Sequence, residues 1–354
     1  MSLLLDKYNE IIEYEFHDEF KYADKIENSK SFKITYEAFV DKLKNHKSTL
    51  AEWDFPWLYE ISIYYYEFSL YAKLHLKDEI LSEKYLSLSI SYASVSLDMS
   101  AQSCGCYKDG NPFIIINKSV FMMSVILLVK GVEEFNTIGK QLIDSLNGKG
   151  CIIKRGYAKS TVSWFVLKLY SLYSNEKITL NKLLQPKDTY GYSKILENWD
   201  TTDTKEILLY IETLCEIHMI QAQKDDDIYL KVKDDPDDLT YRELFLVSSY
   251  FFPYEVLVWL KLRELKGLKN PKTFTHPLMN TPIAKMFLNI KEPLSYPQEL
   301  PYAKELLEKL KEQCPDVEIP EWLDGNTTAV KTEETKEEKH NKDNIIPDDF
   351  FVKE

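Results

Sequence analysis

The sequence predicts an all-α fold, an irregular multi-helix bundle built from antiparallel helix pairs. Apolar residues recur at intervals of three and four along most of the chain, which is the period of one helix face. The 354 residues include only 10 Gly and 14 Pro, too few for the many turns of a β-rich fold, and 44% are hydrophobic, enough for a sizeable core. We therefore expect no sheet beyond a stray pair of strands.

The N-terminal half, residues 1–148, is predicted to contain six helices. They cover 3–25, 31–46, a stretch that starts at Pro56, the region around 81–99, 114–129 and 131–146. Pro56 suits a first helical turn because its missing N–H has no partner within the helix. Asn147 and Gly148 end the sixth helix and mark the predicted boundary with a C-terminal half, residues 149–325.

Serines alternate with the apolar stripe of the helix around 81–99. Small side chains let neighbouring backbones approach closely, so this helix is predicted to be central and contacted on several sides. A catalytic serine there would need a base and an oxyanion site, and the sequence offers neither at a recognisable spacing. The stretch NGKGCIIKRG around Lys149 is predicted to be a connector rather than a phosphate-binding loop. The glycine before it and the Ser/Thr after Lys149 that such a loop requires are missing.

The C-terminal half continues with a helix that ends near 173 and a longer one that begins near 204. Along one side of the longer helix lie Ile207, Ile211, Leu214, His218 and Gln221. No second histidine or glutamate stands at metal-ligand spacing from His218, so we expect a core histidine whose ring nitrogens are hydrogen-bonded.

A short acidic segment follows this helix. Its aspartates are Asp225, Asp226, Asp227, Asp234, Asp235, Asp237 and Asp238. They lack the alternate spacing, central glycine and closing glutamate of a calcium-binding loop. Two interpretations stay open, a solvated loop and a contact patch for a basic partner; we take the seven aspartates as the candidate partner-binding residues.

The stretch FFPYEVLVWLKLRELKGLKNPKTFTHPLMNTP predicts a helix followed by an ordered strap. Pro253 starts the helix, and Gly267 ends it at the position that favours left-handed backbone. Pro277 pushes His276 into extended geometry. With no nucleophile or acid at a recognisable spacing, His276 is predicted to be structural, with a ring nitrogen bonded to backbone or to a carboxylate.

Charge and cysteine content narrow the function classes. The net charge of −13 opposes binding to nucleic acids and to anionic membranes, which draw on Lys and Arg, and it favours a basic protein partner. The longest apolar run, 119–129, is about half of what a bilayer requires. Five scattered cysteines, Cys104 and Cys106 among them, fit reduced thiols, and no metal or cofactor is expected. The first residues lack a signal peptide, so the predicted location is cytoplasmic.

The end of the chain differs in composition from the rest. PYAKELLEKLKEQCP predicts a last amphipathic helix, with Pro301 in its first turn. Residues 326–354 are predicted to form a disordered, charged tail, because the stretch after Gly325 is nearly free of apolar residues. The tail closes on Ile345, Ile346, Phe350 and Phe351, a tip that either docks on a partner or folds back onto the body.

The layout resembles that of all-α immunity proteins from bacterial polymorphic-toxin and type VI secretion loci. The resemblance covers mainly 80–285 and lies in Trp259, Arg263, Gly267, His276, Pro277 and Leu278. It implies neutralisation of one cognate toxin by tight binding, without enzymatic activity. A helical scaffold or adaptor and an enzyme with a scattered active site are the competing hypotheses, and the oligomeric state stays open.

Overall fold

The computed structural model describes most of the chain between Phe20 and Leu323. The residues described are 20, 25–45, 54–103, 113–149, 152–153, 160–179, 186, 191–232, 243–244, 246–297 and 299–323. The predicted helix over 3–25, apart from residues 20 and 25, and the predicted tail over 326–354 lie outside them, so both stay predictions.

Helices dominate these residues, and the all-α prediction is confirmed. The α-helices described are α1 (Lys30–Asn45), α2 (Asp54–Tyr71), α3 (Glu79–Gln102), α4 (Ile116–Val129), α5 (Val132–Leu146), α6 (Thr161–Ser174), α7 (Tyr192–Glu197), α8 (Thr204–Val232), α9 (Tyr254–Leu265), α10 (Pro282–Leu288) and α11 (Ala303–Gln313). Short 3-10 turns cover Ile26–Asn28, Val247–Phe251, Pro277–Asn280 and Glu321–Leu323. The strands β1 (Phe113–Ile114) and β2 (Ile152–Ile153) form one parallel pair, the stray pair that the sequence allowed.

The helices α2 and α3 form a hairpin around a π-helical turn, Ala72–Leu76. Two serines of α3 join the helices directly. Ser82 Oγ donates to Ser69 O (2.8 Å), and Ser89 Oγ donates to Ser62 O (2.7 Å). Serines on this helix therefore bond to the neighbouring backbone, which small residues can approach closely. This is the packing role that the sequence predicted for them.

Helix α4 lies at the centre of the core. Every side chain from Ile116 to Val129 except Lys118 is buried. The helix packs against α3, α5, α6, α9 and α10. The apolar run 119–129 is thus a buried helix, as predicted. Among the helices that the structure describes, none combines the length and apolarity that a membrane crossing requires.

The two predicted halves share one cluster of buried apolar side chains. Phe121 of α4 and Tyr254 of α9, for example, have ring centroids 5.4 Å apart. The pairing of β1 with β2 also crosses the predicted boundary at Gly148. Nothing in the fold tests whether 1–148 and 149–325 are separate folding units, so that division stays a prediction.

The segment that follows α10 returns to the N-terminal half. Leu294 N donates to Val129 O (2.9 Å) at the end of α4, and the Tyr92 hydroxyl of α3 donates to Pro301 O (3.0 Å). Helix α11 then packs on α3. The predicted last helix is therefore present, although it begins at Ala303 rather than around Pro301.

Candidate functional site

Helix α8 has a buried inward face and an exposed outward face. The inward face contains Ile207, Ile211, Leu214, His218 and Gln221, all buried, as the spacing predicted. A helix stripe normally buries apolar side chains, so the two polar residues of this stripe, His218 and Gln221, stand out. The candidate site begins at these two residues.

The outward face of α8 presents apolar and acidic side chains in alternation. Leu209, Glu216, Ile220 and Asp227 lie along the exposed stripe, together with a cation, Lys224. Leu209 is 56% exposed and Ile220 is 51% exposed. Large aliphatic side chains at this exposure are in contact with water over half their surface, and they share the face with carboxylates.

The acidic segment divides between the two faces of α8. The helix continues to Val232, so Asp225, Asp226 and Asp227 are helical rather than part of a loop. Asp227 is exposed and Asp226 is half-buried. The remaining four candidates, Asp234, Asp235, Asp237 and Asp238, lie outside the described residues.

Asp225 is the one candidate whose predicted surface position is wrong. It is 1% exposed, and its carboxylate accepts hydrogen bonds from Glu243 N (2.8 Å) and Leu244 N (2.5 Å). The reason is helical geometry, because Asp225 follows Gln221 by four residues and His218 by seven and so shares their inward face. Asp225 is therefore a structural residue that holds the 243–244 segment.

The buried pair of His218 and Glu255 joins α8 to the first turn of α9. His218 Nδ1 lies 2.8 Å from Glu255 Oε1, and Nε2 lies 3.0 Å from Ser249 O. Burial lowers the pKa of His218, but the Glu255 carboxylate and the backbone hydrogen bonds outweigh it and raise the pKa above its ordinary value. The prediction of a hydrogen-bonded core histidine is confirmed, and the raised pKa of His218 favours an ion pair with Glu255.

Cys215 stands one turn before His218 but provides no nucleophile. Burial raises the pKa of its thiol, and the negative charges of Glu255, Glu212 and Glu216 raise it further. A thiol that is held protonated and fully buried is a poor nucleophile, since the thiolate is the reactive form. Cys215 is therefore a poor nucleophile in the folded chain.

A second set of hydrogen bonds extends the inward face to the start of α6. Glu243 Oε2 accepts from Thr161 N (2.7 Å) and from the Thr161 hydroxyl (3.2 Å), and Gln221 Nε2 donates to the same hydroxyl (3.2 Å). Burial raises the pKa of Glu243, while the bonds from Thr161 oppose that rise. The carboxylate also lies at a helix N-terminus, where negative charge is stabilised.

The strap after α9 lies along one flank of α8, beside the outward face. His276 Nδ1 accepts from Leu278 N (3.2 Å), and Nε2 lies 3.4 Å from Glu216 Oε1. The Thr275 hydroxyl bonds to Glu212. His276 is thus bonded to backbone and to a carboxylate, which confirms the predicted structural role.

Arg263 stabilises the end of α9. Arg263 is fully buried; Nη1 donates to Trp199 O (2.9 Å), which also accepts from Trp259 Nε1 (2.8 Å). Gly267 adopts a φ of +75°, as predicted for the residue that ends the helix. Arg263 and Trp259 are therefore buried residues that anchor the end of α9 to Trp199.

Metal binding finds no support within the described ranges, where no three His, Cys, Asp or Glu side chains group as metal ligands. Cys104 and Cys106 lie outside those ranges.

Sequence analysis did not identify Glu243 and Glu255 as partners of α8. Both lie at least 18 residues beyond the residues of α8 that they contact, and no local pattern links them. Comparison of the chain with protein-family models, curated proteins and solved structures finds no match in any of the three.

Proposed function

We propose that this chain is a binding protein without catalytic activity, an immunity protein that neutralises a cognate bacterial toxin by direct protein–protein contact. The observation that carries the proposal is the outward face of α8, where exposed Leu209 and Ile220 alternate with carboxylates. Protein interfaces combine apolar area with a polar rim, and this face offers both kinds of side chain.

The chemistry of this face selects the kind of partner. Glu216 and Asp227, together with a net charge of −13, attract a basic surface and raise its encounter rate. Leu209 and Ile220 add apolar surface area that is removed from water when the partner binds. A toxin that acts on nucleic acid carries a basic surface of this kind, so a nuclease is the toxin class that fits best.

Contacts on the inward side and the flank of α8 also hold the outward face in a fixed position. The His218–Glu255 pair and the Asp225 carboxylate fix the inward side of α8, and Thr275 and His276 fix its flank. A face that is already ordered loses little conformational entropy on binding. The rigid backing therefore supports tight recognition of one protein.

Binding is favoured over catalysis because the best catalytic side chains are already engaged. His218 is enclosed with Glu255, and His276 caps a 3-10 turn with Nδ1. Burial holds the pKa of the Cys215 thiol well above its ordinary value. These groups hold the fold together, and the surface chemistry lies elsewhere, on α8.

The acidic segment extends the proposed surface beyond the helix. Asp226 and Asp227 lie at the C-terminal end of the outward face, and Asp234, Asp235, Asp237 and Asp238 follow in sequence. Asp225 is excluded because it is buried. The cytoplasm is the proposed location, where the chain meets its toxin.

The test begins with capture of the partner. Tagged full-length protein is purified from its host, the co-purifying protein is identified by mass spectrometry, and that protein is expressed in a test bacterium. It should arrest growth alone and lose this effect when the chain is co-expressed. The double substitution Leu209→Asp with Ile220→Asp should abolish rescue and weaken binding by about tenfold or more, which corresponds to about 1.4 kcal/mol.

The matched control is Ile80→Asp, because Ile80 is 83% exposed at the start of α3, outside the proposed face. It should keep both rescue and affinity. Rescue by the Leu209/Ile220 variant would remove α8 from the interface. A captured protein that does not arrest growth would instead favour the helical scaffold or adaptor.

A further inference from the structure

Five buried polar atoms in the region around His218 and Gln221 of α8 have no hydrogen-bond partner among the residues described. They are Glu255 Oε2, Gln221 Oε1, the Tyr192 hydroxyl, Ser163 Oγ and Ser248 Oγ. Each of these residues is at most 2% exposed. Buried polar atoms in native proteins are nearly always bonded to protein or to ordered water. Five in one region therefore indicate a shared partner.

The first two of these side chains belong to the network already described. Glu255 uses its other carboxylate oxygen for His218, and Gln221 follows His218 by one turn of α8. Gln221 donates through Nε2 to the Thr161 hydroxyl, and Ser163 stands two residues further along α6. The unpartnered oxygens of Glu255 and Gln221 thus belong to adjacent turns of two packed helices.

Tyr192 approaches the same region from α7. Its ring stacks on Phe165 of α6 with centroids 4.6 Å apart. Burial raises the pKa of Tyr192, and the charges of Glu255, Tyr254 and Glu243 raise it further. The phenol therefore lies within electrostatic reach of two carboxylates, and it forms a direct hydrogen bond with neither of them in the described structure.

We propose that these atoms line an internal site that binds ordered water, which links the Tyr192 hydroxyl to Glu255 Oε2 and Gln221 Oε1. Water suits the set because carboxylate and amide oxygens only accept, whereas the hydroxyls both donate and accept. One water molecule makes two to four such bonds, and buried waters occupy sites with several polar partners.

The existing partners of the carboxylates favour a neutral ligand over a cation. The Glu255 carboxylate is already paired with His218, and the Glu243 carboxylate is bonded to the N-terminus of α6 through Thr161 N. Asp225 accepts from two backbone N–H groups. Each carboxylate is therefore already stabilised by donors of the protein, whereas the five unpartnered atoms still require neutral donors and acceptors.

The site completes the contact between α6, α7, α8 and α9. Ser248 lies in the 3-10 turn whose next residue, Ser249, accepts from His218. Water bound at Ser248 Oγ would therefore support the same turn that holds the histidine. The bound water acts as a structural component that fixes the inward face of α8.

The sign of a stability change tests the proposal. A hydroxyl that binds water loses a hydrogen bond in Tyr192→Phe, so the Tm of the full-length protein should fall by about 1–2 °C. A hydroxyl with no partner at all gives the opposite result, because its removal relieves a desolvation penalty. A rise in Tm for Tyr192→Phe would overturn the proposal.

Tyr66→Phe is the matched control. The Tyr66 hydroxyl is also buried without a partner in the described structure, but its ring lies among Phe121, Phe252 and Phe287 rather than among polar groups. Its removal should keep or raise the Tm. A fall equal to that of Tyr192→Phe would mean that loss of any buried hydroxyl destabilises this protein, and the water site would have no support.

A high-resolution crystal structure supplies an independent measurement. Water should lie about 2.7–3.2 Å from both the Tyr192 hydroxyl and Glu255 Oε2, and Tyr192→Phe should lose at least one such molecule. Density for a metal ion or an organic molecule in this place would contradict the proposal. So would a direct bond between Tyr192 and Glu255.

Discussion

The two faces of α8 contain the same residue types in opposite environments, buried on one face and exposed on the other. Asp225 and Asp227 are two positions apart, yet Asp225 bonds to Glu243 N and Leu244 N in the core, while Asp227 is exposed. The inward Ile217 is buried, whereas the outward Ile220 is half exposed. A run of identical charges therefore says little about function until the helical period assigns each member to a face.

The difference between the faces is energetic as well as geometric. An inward polar group loses its hydration and needs a partner, and His218, Gln221 and Asp225 each have one. An outward group keeps its hydration and contributes little to folding. We therefore expect inward substitutions to change stability and outward substitutions to change binding.

Removal of Glu255 should give the largest effect. Glu255→Ala leaves His218 buried without its counter-charge, and breaking a buried ion pair in this way costs about 3–5 kcal/mol. The free energy of unfolding, measured by urea titration, should fall by that amount. Variants that fold poorly can be measured as a loss of soluble yield.

The control replaces both members of the pair. His218→Leu combined with Glu255→Met removes both charges, and such replacements are often close to neutral. The double variant should be more stable than Glu255→Ala alone. If it is equally or less stable, the contribution of Glu255 comes from packing or from its other oxygen, and the ionic interpretation of the pair is wrong.

The two aspartates provide the next test, with a smaller effect. Asp225→Ala removes the acceptor of two backbone N–H groups, so we expect a loss of about 2–3 kcal/mol. Asp227→Ala, two residues further on, should stay within about 0.5 kcal/mol of the parent. Chemical denaturation of both variants measures the contrast, and equal losses would mean that α8 does not separate the two side chains.

The fold was largely predictable from sequence because helical periodicity is a local signal. The central helix over 116–129, the buried stripe of α8 and the end of α9 at Gly267 all follow from residues within one or two turns of each other. His276 was likewise assigned a structural role from its neighbours alone. Local chemistry is enough for such features.

Partners distant in sequence could not be found in this way. Asp225 was placed on the surface because it belongs to an acidic run, and only its contact with 243–244 reveals the buried position. Arg263 fits a helix terminus by sequence, but its partner Trp199 is 64 residues away. Buried charges are identified by their partners, and a single sequence does not pair distant residues.

The pH dependence of stability gives the smallest effect and separates the ionic pair from a neutral one. The folded pKa of His218 is raised above its ordinary value of 6.5. Below pH 6.5 the histidine is protonated in both the folded and the unfolded states, so the stabilisation is fully present. Above pH 6.5 the unfolded chain releases its proton first, and stability falls as pH rises through the folded pKa.

Comparison of the parent with His218→Gln isolates the contribution of His218 to the pH dependence of the unfolding free energy. The glutamine still donates a hydrogen bond but does not titrate. Between pH 6.5 and the folded pKa, the difference in unfolding free energy should shrink by at most about 1.4 kcal/mol per pH unit. Cys215, Tyr192 and Tyr254 pack around the pair, but all are present in both proteins, so their titration cancels in the difference. A difference that stays constant or grows from pH 6 to 9 would mean that the folded pKa of His218 is not raised. His218 and Glu255 would then be joined by a hydrogen bond from an uncharged histidine rather than by an ion pair.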